Sequence, residues 1–145
     1  MKTRNILFLI CLVFILSCKD SNQRRKEIMA EKVVELNKEM AYWDNLKQKV
    51  ISDGGNRMQE LDKSLQTELE QAGIRDVYIE GTEYYEISFH MNWTSYPIGG
   101  TSLHWNSRDY EPKAKKGYHD NLSNGHIDVW GVGNGWFIMT DRSFM

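Results

Sequence analysis

Apolar and polar residues recur along this chain with three different periods, and each period predicts a different kind of element. Ile6–Leu16 is an unbroken apolar run of eleven residues that follows Lys2 and Arg4. A helix crossing a bilayer needs about 20 apolar residues. The run is too short for that, but it has the length and basic flank of a signal-peptide core. Lys19 to Lys26 is polar and predicts a short tether. From Glu27 the period becomes helical: Met29, Val33, Leu36, Met40, Trp43, Leu46 and Val50 recur at steps of three and four and share one face. Asp53-Gly54-Gly55-Asn56 breaks that helix, because paired glycines favour turns. A second stripe follows in Met58, Leu61, Leu65, Leu69 and Ala72, and Gly73-Ile74 reads as its C-cap. Two helices of unequal length are predicted, folded as a hairpin or nearly continuous with a kink at the glycines. The long stripe could also be a seam between two chains, but coiled coils need sustained heptads. Two short, broken segments favour contact within the chain.

Beyond Arg75 the period falls to two. Val77 and Ile79 alternate with Tyr78 and Glu80, and Gly81-Thr82 makes a turn. Tyr85, Ile87, Phe89 and Met91 alternate with Glu86, Ser88, His90 and Asn92, the pattern of a half-buried strand. Pro97 and Gly99-Gly100 open a loop before a short strand over Thr101–Trp105, and Lys113–Gly125 predicts a long polar surface loop. His126–Val132 and Trp136–Thr140 flank Gly133-Asn134-Gly135 and predict a hairpin. Regular pairing would put Asp128, Trp130, Val132, Phe137 and Met139 on one side of it. Ile127, Val129, Gly131, Trp136, Ile138 and Thr140 would lie on the other. The fold class predicted is α+β: an N-terminal helical pair, or one kinked long helix, packed on an antiparallel sheet of four or five strands.

Ile15-Leu16-Ser17-Cys18, followed by Lys19 and Asp20, resembles the lipobox of bacterial lipoproteins, in particular those of the Bacteroidota, which often read Ser-Cys-Lys here. The resemblance covers the first twenty or so residues. It implies cleavage before Cys18, lipid on the Cys18 thiol and acylation of the new amino terminus. Two acyl chains suffice for stable anchoring without a spanning helix. The implied organisation is a signal peptide over 1–17, a tether over 18–26, and one domain over 27–145, helical in 27–73 and β-rich in 75–145. The implied place is the cell envelope, at the outer membrane or the periplasmic face. Lys19-Asp20 resembles the start of sequences that direct lipoproteins to the cell surface.

Composition narrows the function further. Cleavage before Cys18 leaves 128 residues, enough for one core, and removes Cys11. Packing alone must stabilise that domain, because its one remaining cysteine is expected to carry lipid. Residues 18–75 balance eleven basic against eleven acidic side chains, whereas 76–145 hold five and nine. No basic face of the kind that neutralises phosphates is visible, so nucleic acid is not an expected partner.

Four histidines invite a metal reading, with His119, His126 and Asp128 as the nearest set. None of their spacings matches a zinc motif, so neither a metal nor a cofactor is expected. Ser102 and Ser123 lack a nucleophile elbow. Glu86 with Asp128 could form a carboxylate pair only across a cleft. The glycines at 131, 133 and 135 lead into a strand and not a helix, which excludes a phosphate loop. The remaining lead is aromatic: Trp93, Tyr96, Trp105, Tyr110 and Tyr118, with Arg108 among them, are candidate binding residues for a protein or glycan partner. Three functions compete. One is a membrane-anchored, non-catalytic binding or inhibitory module of the kind that includes immunity proteins. Another is a small hydrolase or carbohydrate-active enzyme using Glu86, His126 or Asp128. The last is a self-associating envelope protein.

Overall fold

Leu36, Trp43, Leu46 and Val50 are buried, as the helical stripe requires, but the helix that carries them begins earlier and breaks sooner than the periodicity predicts. In the computed structural model, which describes residues 21–81, 85–95, 99–107, 113, 115–122 and 126–142, α1 spans Ser21–Lys38 and α2 spans Met40–Asp53. They meet at Glu39, whose φ of −103° and ψ of 14° depart from helical values, and the break lies there and not only at the glycines. Residues 21–26, expected as tether, are helical because Arg25 has a partner on the sheet. Gly54 then caps α2 with φ 83°, a left-handed conformation that glycine adopts without steric cost. A 3₁₀ turn at Met58–Glu60 leads to α3, Lys63–Gln71. The Asp62 side chain accepts from the Ser64 N–H and caps its start.

Six strands follow: β1 Ile74–Glu80, β2 Glu86–Ser95, β3 Gly99–Asn106, β4 His119–Leu122, β5 Ile127–Gly133 and β6 Trp136–Asp141. They form one sheet in the order β1-β2-β3-β6-β5-β4, with every neighbouring pair antiparallel. The architecture is α+β, with N-terminal helices packed on an antiparallel sheet. Two strand expectations are corrected. Lys113–Gly125 is not wholly loop, because His119–Leu122 pairs with β5 as a short polar edge strand, which brings the sheet to six strands where four or five are expected. Such a strand has no apolar alternation to announce it, since only one of its edges is covered. The hairpin faces are also exchanged. A bulge between Gly131 and Gly133 adds one residue to β5, so Trp130 opposes Ile138 and Val129 opposes Met139. Asp128, Trp130 and Val132 therefore share the helix-side face with Trp136, Ile138 and Thr140.

That face holds the main core, where Phe89 lies between the rings of Trp43 and Trp136 at 6.3 and 6.0 Å. α1 lies over β5 and α3 beside β1, while α2 reaches the sheet through Asp44 and Trp136 and α3 through Lys49 and Glu68. Lys47 on α2 is buried, with its ammonium 4.3 Å from the Trp105 ring and 2.7 Å from Asp44; Asp44 also accepts from the Trp136 indole N–H. A single carboxylate thus compensates a buried cation and a buried ring donor.

Candidate functional site

No described helix packs on the second face of the sheet, where Tyr118 and Leu122 cover the β5–β6 part. Strand alternation places Asp76 and Tyr78, Glu86, Ser88 and His90, and Ser102, His104 and Asn106 on it, followed by Phe137 and Met139. His104 lies at the centre and is nearly buried, stacked on the Phe137 ring at 5.0 Å and 9°. Its Nε2 is 2.7 Å from Ser102 Oγ, and its Nδ1 is 2.9 Å from Ser88 Oγ and 3.6 Å from Glu86 Oε1. Interaction with His104 holds the Glu86 carboxyl below the usual carboxylate range, against the opposing effect of burial. Burial also pushes the neighbouring His90 below the ordinary histidine value, with His104 and Arg75 adding to the shift. Arg75, His90, Ser102, His104, Met139 and Asp141 line a cleft of about 280 Å³ on this face. It joins cationic, hydroxyl, apolar and carboxylate surface.

Glu86, His104 and Ser102 stand in the order of acid, base and nucleophile. With its proton on Nδ1, toward Glu86, His104 would present a lone pair to the Ser102 hydroxyl. Acyl transfer also needs amide donors aimed at the developing oxyanion. Ser102 lies inside β3, paired with His90 on one side and Met139 on the other. The main chain around it is committed to the ladder.

The carboxylate set suggested by the sequence is distributed otherwise. Asp128 lies on the helix-side face, 1% exposed, 2.7 Å from the Arg25 guanidinium, and accepts from Asn121 Nδ2 at 2.8 Å. His119 approaches it to 3.6 Å and packs on Trp130 with ring centroids 4.0 Å apart. His126 is exposed in the turn before β5. Glu86 and Asp128 lie on opposite faces of the sheet, so they cannot flank one bond. Among the described residues, no three His, Cys, Asp or Glu side chains are placed to hold a metal ion.

The three aromatic candidates among the described residues lie apart from one another. Trp93 stands on β2 on the helix side, with Lys32 Nζ 4.9 Å from its ring centroid. Trp105 stands on β3 on the same face but at the other end of the sheet, under Lys47. Tyr118 packs on the helix-free face and covers Val129 and Phe137 there. Tyr96, Arg108 and Tyr110 lie outside the described residues, as do Cys18 and residues 1–17. Sequence reasoning missed the network around His104. Its signal was present in the alternation that puts Ser88 and His90 on one face of β2 and Ser102 and His104 on one face of β3. Joining them required the register. Comparison of the chain with protein-family models, with curated proteins and with solved structures returns no match in any of the three.

Proposed function

We propose that the chain is an exported lipoprotein, held to an envelope membrane through lipid on Cys18, whose domain is a non-catalytic binding or inhibitory module. The observation that carries the binding reading is the cleft on the helix-free sheet face, whose polar groups satisfy one another and whose nucleophile candidate sits in a fully paired strand. The partner is a protein or glycan segment able to meet His90, Ser102 and the apolar wall at Met139. A photo-crosslinking side chain at Ser102, introduced in the producing cell, should yield a discrete adduct that Met139→Glu weakens. The absence of any adduct that depends on Met139 counts against this surface. Anchoring is tested separately. Cys18→Ser should abolish incorporation of labelled palmitate and release the chain from membranes; retention of both would remove the lipoprotein reading.

The line of Glu86, His104 and Ser102 favours one second reading, a serine hydrolase. A fluorophosphonate probe decides between them. Covalent labelling that Ser102→Ala abolishes would establish the hydrolase, and an unlabelled protein agrees with binding.

A further inference from the structure

Helix α1 connects the proposed anchor to one particular end of the sheet. Arg25 pairs with Asp128, one residue into β5, whereas Asn37 lies beside Val132–Gly135 at the far end of that strand. α1 therefore runs alongside β5 in the same direction, covering about 18 Å between Arg25 and Asn37 at a rise of about 1.5 Å per residue. Ser21 lies a further turn of helix beyond Arg25, next to the sheet end formed by Gly100, Ile127 and Asp141. The opposite end carries Glu80, Glu86, Asn106 and the turn at Asn134.

Cys18 precedes Ser21 by three residues. Even fully extended, that connection spans at most about 10 Å. The two ends are separated by the length of the strands: β5, Ile127–Gly133, is about 20 Å long at about 3.3 Å per residue, about twice that reach. A lipid on Cys18 therefore keeps this end of the sheet within about 10 Å of the bilayer and does not let the other end turn toward it. The end that must face the lipid exposes Arg24, Lys26 and Arg75, and Arg75 has no ion-pair partner among the described residues.

We infer that this domain is seated on the bilayer by the Gly100–Ile127–Asp141 end of its sheet, with Arg24, Lys26 and Arg75 directed at anionic headgroups. The cleft beside Arg75 and His90 then lies at the membrane surface, and Lys115, Lys116 and the β5–β6 turn point away from it. The inference rests on lipidation of Cys18 and adds to it a fixed orientation and a membrane-contacting edge.

The test uses the mature lipidated protein in vesicles of equal parts phosphatidylethanolamine and phosphatidylglycerol. A lipidated Cys18 has no free thiol, so one introduced cysteine can carry one fluorophore. Gly100→Cys labels the membrane end, where a side chain has room, since the nearest atom to an added Cβ is 3.8 Å away. Arg24→Cys labels the same end from the helix, independently of sheet packing. Lys116→Cys labels the other end. Brominated phospholipid should quench the first two labels severalfold more than the third. In R24E/K26E/R75E the quenching at residue 100 should fall about twofold or more, as three cations lose their attraction to the anionic surface. Quenching that is equal at both ends, or greater at residue 116, in a protein that floats with the vesicles overturns the orientation and leaves the anchor intact. Unchanged quenching in the charge-reversed protein overturns the headgroup contact. A mature protein that does not float with the vesicles overturns the anchor, and the orientation with it.

Discussion

Gly131→Ala should destabilise this protein by about 3 kcal/mol, although the local rule predicts the opposite sign. Alanine inside a strand normally gains about 0.5–1 kcal/mol over glycine because it restricts the unfolded chain. Here an added Cβ would lie 1.9 Å from the Lys115 carbonyl oxygen and 2.8 Å from that of Lys113, where real contacts do not come under 3.0 Å. The segment around Lys115 must therefore retreat by at least 1.1 Å. It is held against β5 by Gly131 N–H donating to the Tyr118 carbonyl at 2.8 Å and Gly117 N–H donating to the Gly131 carbonyl at 3.2 Å. Losing both bonds costs about 1 kcal/mol each. Withdrawing Tyr118 and its neighbours from Phe137 and Val129 exposes part of a second apolar cluster, at about 1–2 kcal/mol. Together these losses, about 3–4 kcal/mol, exceed the entropic gain at least threefold.

Urea unfolding followed by tryptophan fluorescence measures the effect. With a slope of about 1–3 kcal/mol per molar, the midpoint should fall by about 1–3 M. Gly100→Ala is the matched control, since its Cβ meets nothing closer than 3.8 Å. It should change stability by no more than about 0.5 kcal/mol. An equal or raised midpoint in Gly131→Ala, with the amides of Gly117 and Gly131 still protected from exchange, would refute the close approach described for Lys113 and Lys115.

Phe89→Ala removes a fully buried ring between Trp43 and Trp136 and should cost about 3–5 kcal/mol in the same assay; an unchanged midpoint would take Phe89 out of the core. Arg25→Met leaves Asp128 buried beside Asn121 without its cation and should cost about 3–5 kcal/mol, and adding Asp128→Leu should recover a large part of that. A double-mutant cycle with no coupling would dissolve the pair. For His90, burial depresses the folded-state pKa, so the unfolded chain takes up the proton first. Its contribution is complete above about pH 6.5 and is lost as the pH falls from there through the lower folded value. His90→Gln should flatten the stability profile over that interval, and a profile identical to the parent's would assign the slope to other groups.

The elements most legible in the sequence are those whose burial is one-sided. Ile87, Phe89 and Met91 alternate cleanly because β2 has helices on one face and a polar surface on the other. The Leu65–Leu69 stripe of α3 is equally plain, and Gly54 and Gly73 mark helix ends by their left-handed backbone. What stayed hidden depended on contacts between distant residues. β4 is polar because it is an edge. The faces of the hairpin hinge on a bulge that adds one residue among three glycines, and a single-residue slip reverses every side chain. Gly131 reads as turn material in the chain, yet its role is to admit the Lys115 carbonyl. The open-face site was legible in its parts, because the periods of β2 and β3 separately put Ser88, Ser102 and His104 on polar faces. Only the pairing of Ser88 with His104 across the two strands makes them one network.

Asp128 shows how the same residue supports different conclusions at different levels. In the chain, a carboxylate two residues from a histidine suggests a general acid or a metal ligand. In the fold it is the sheet's attachment point for α1, and Arg25, its partner, comes from a stretch whose polarity suggests a flexible tether. A buried ion pair of this kind adds little net stability, because desolvating two charges offsets most of their attraction. Its strength lies in excluding alternatives: sliding α1 by one turn would leave both charges buried and apart. That alignment sets where Ser21 lies relative to the strands, and therefore which end of the sheet a lipid on Cys18 would hold against a membrane. Weakening the pair should then loosen orientation even where the fold survives. With lipidated Arg25→Lys, which keeps the charge but not the guanidinium geometry, bromolipid quenching at residue 100 should fall toward that at residue 116. Undiminished contrast between the two ends would show that packing of Met29 and Leu36 aligns α1 without the ion pair.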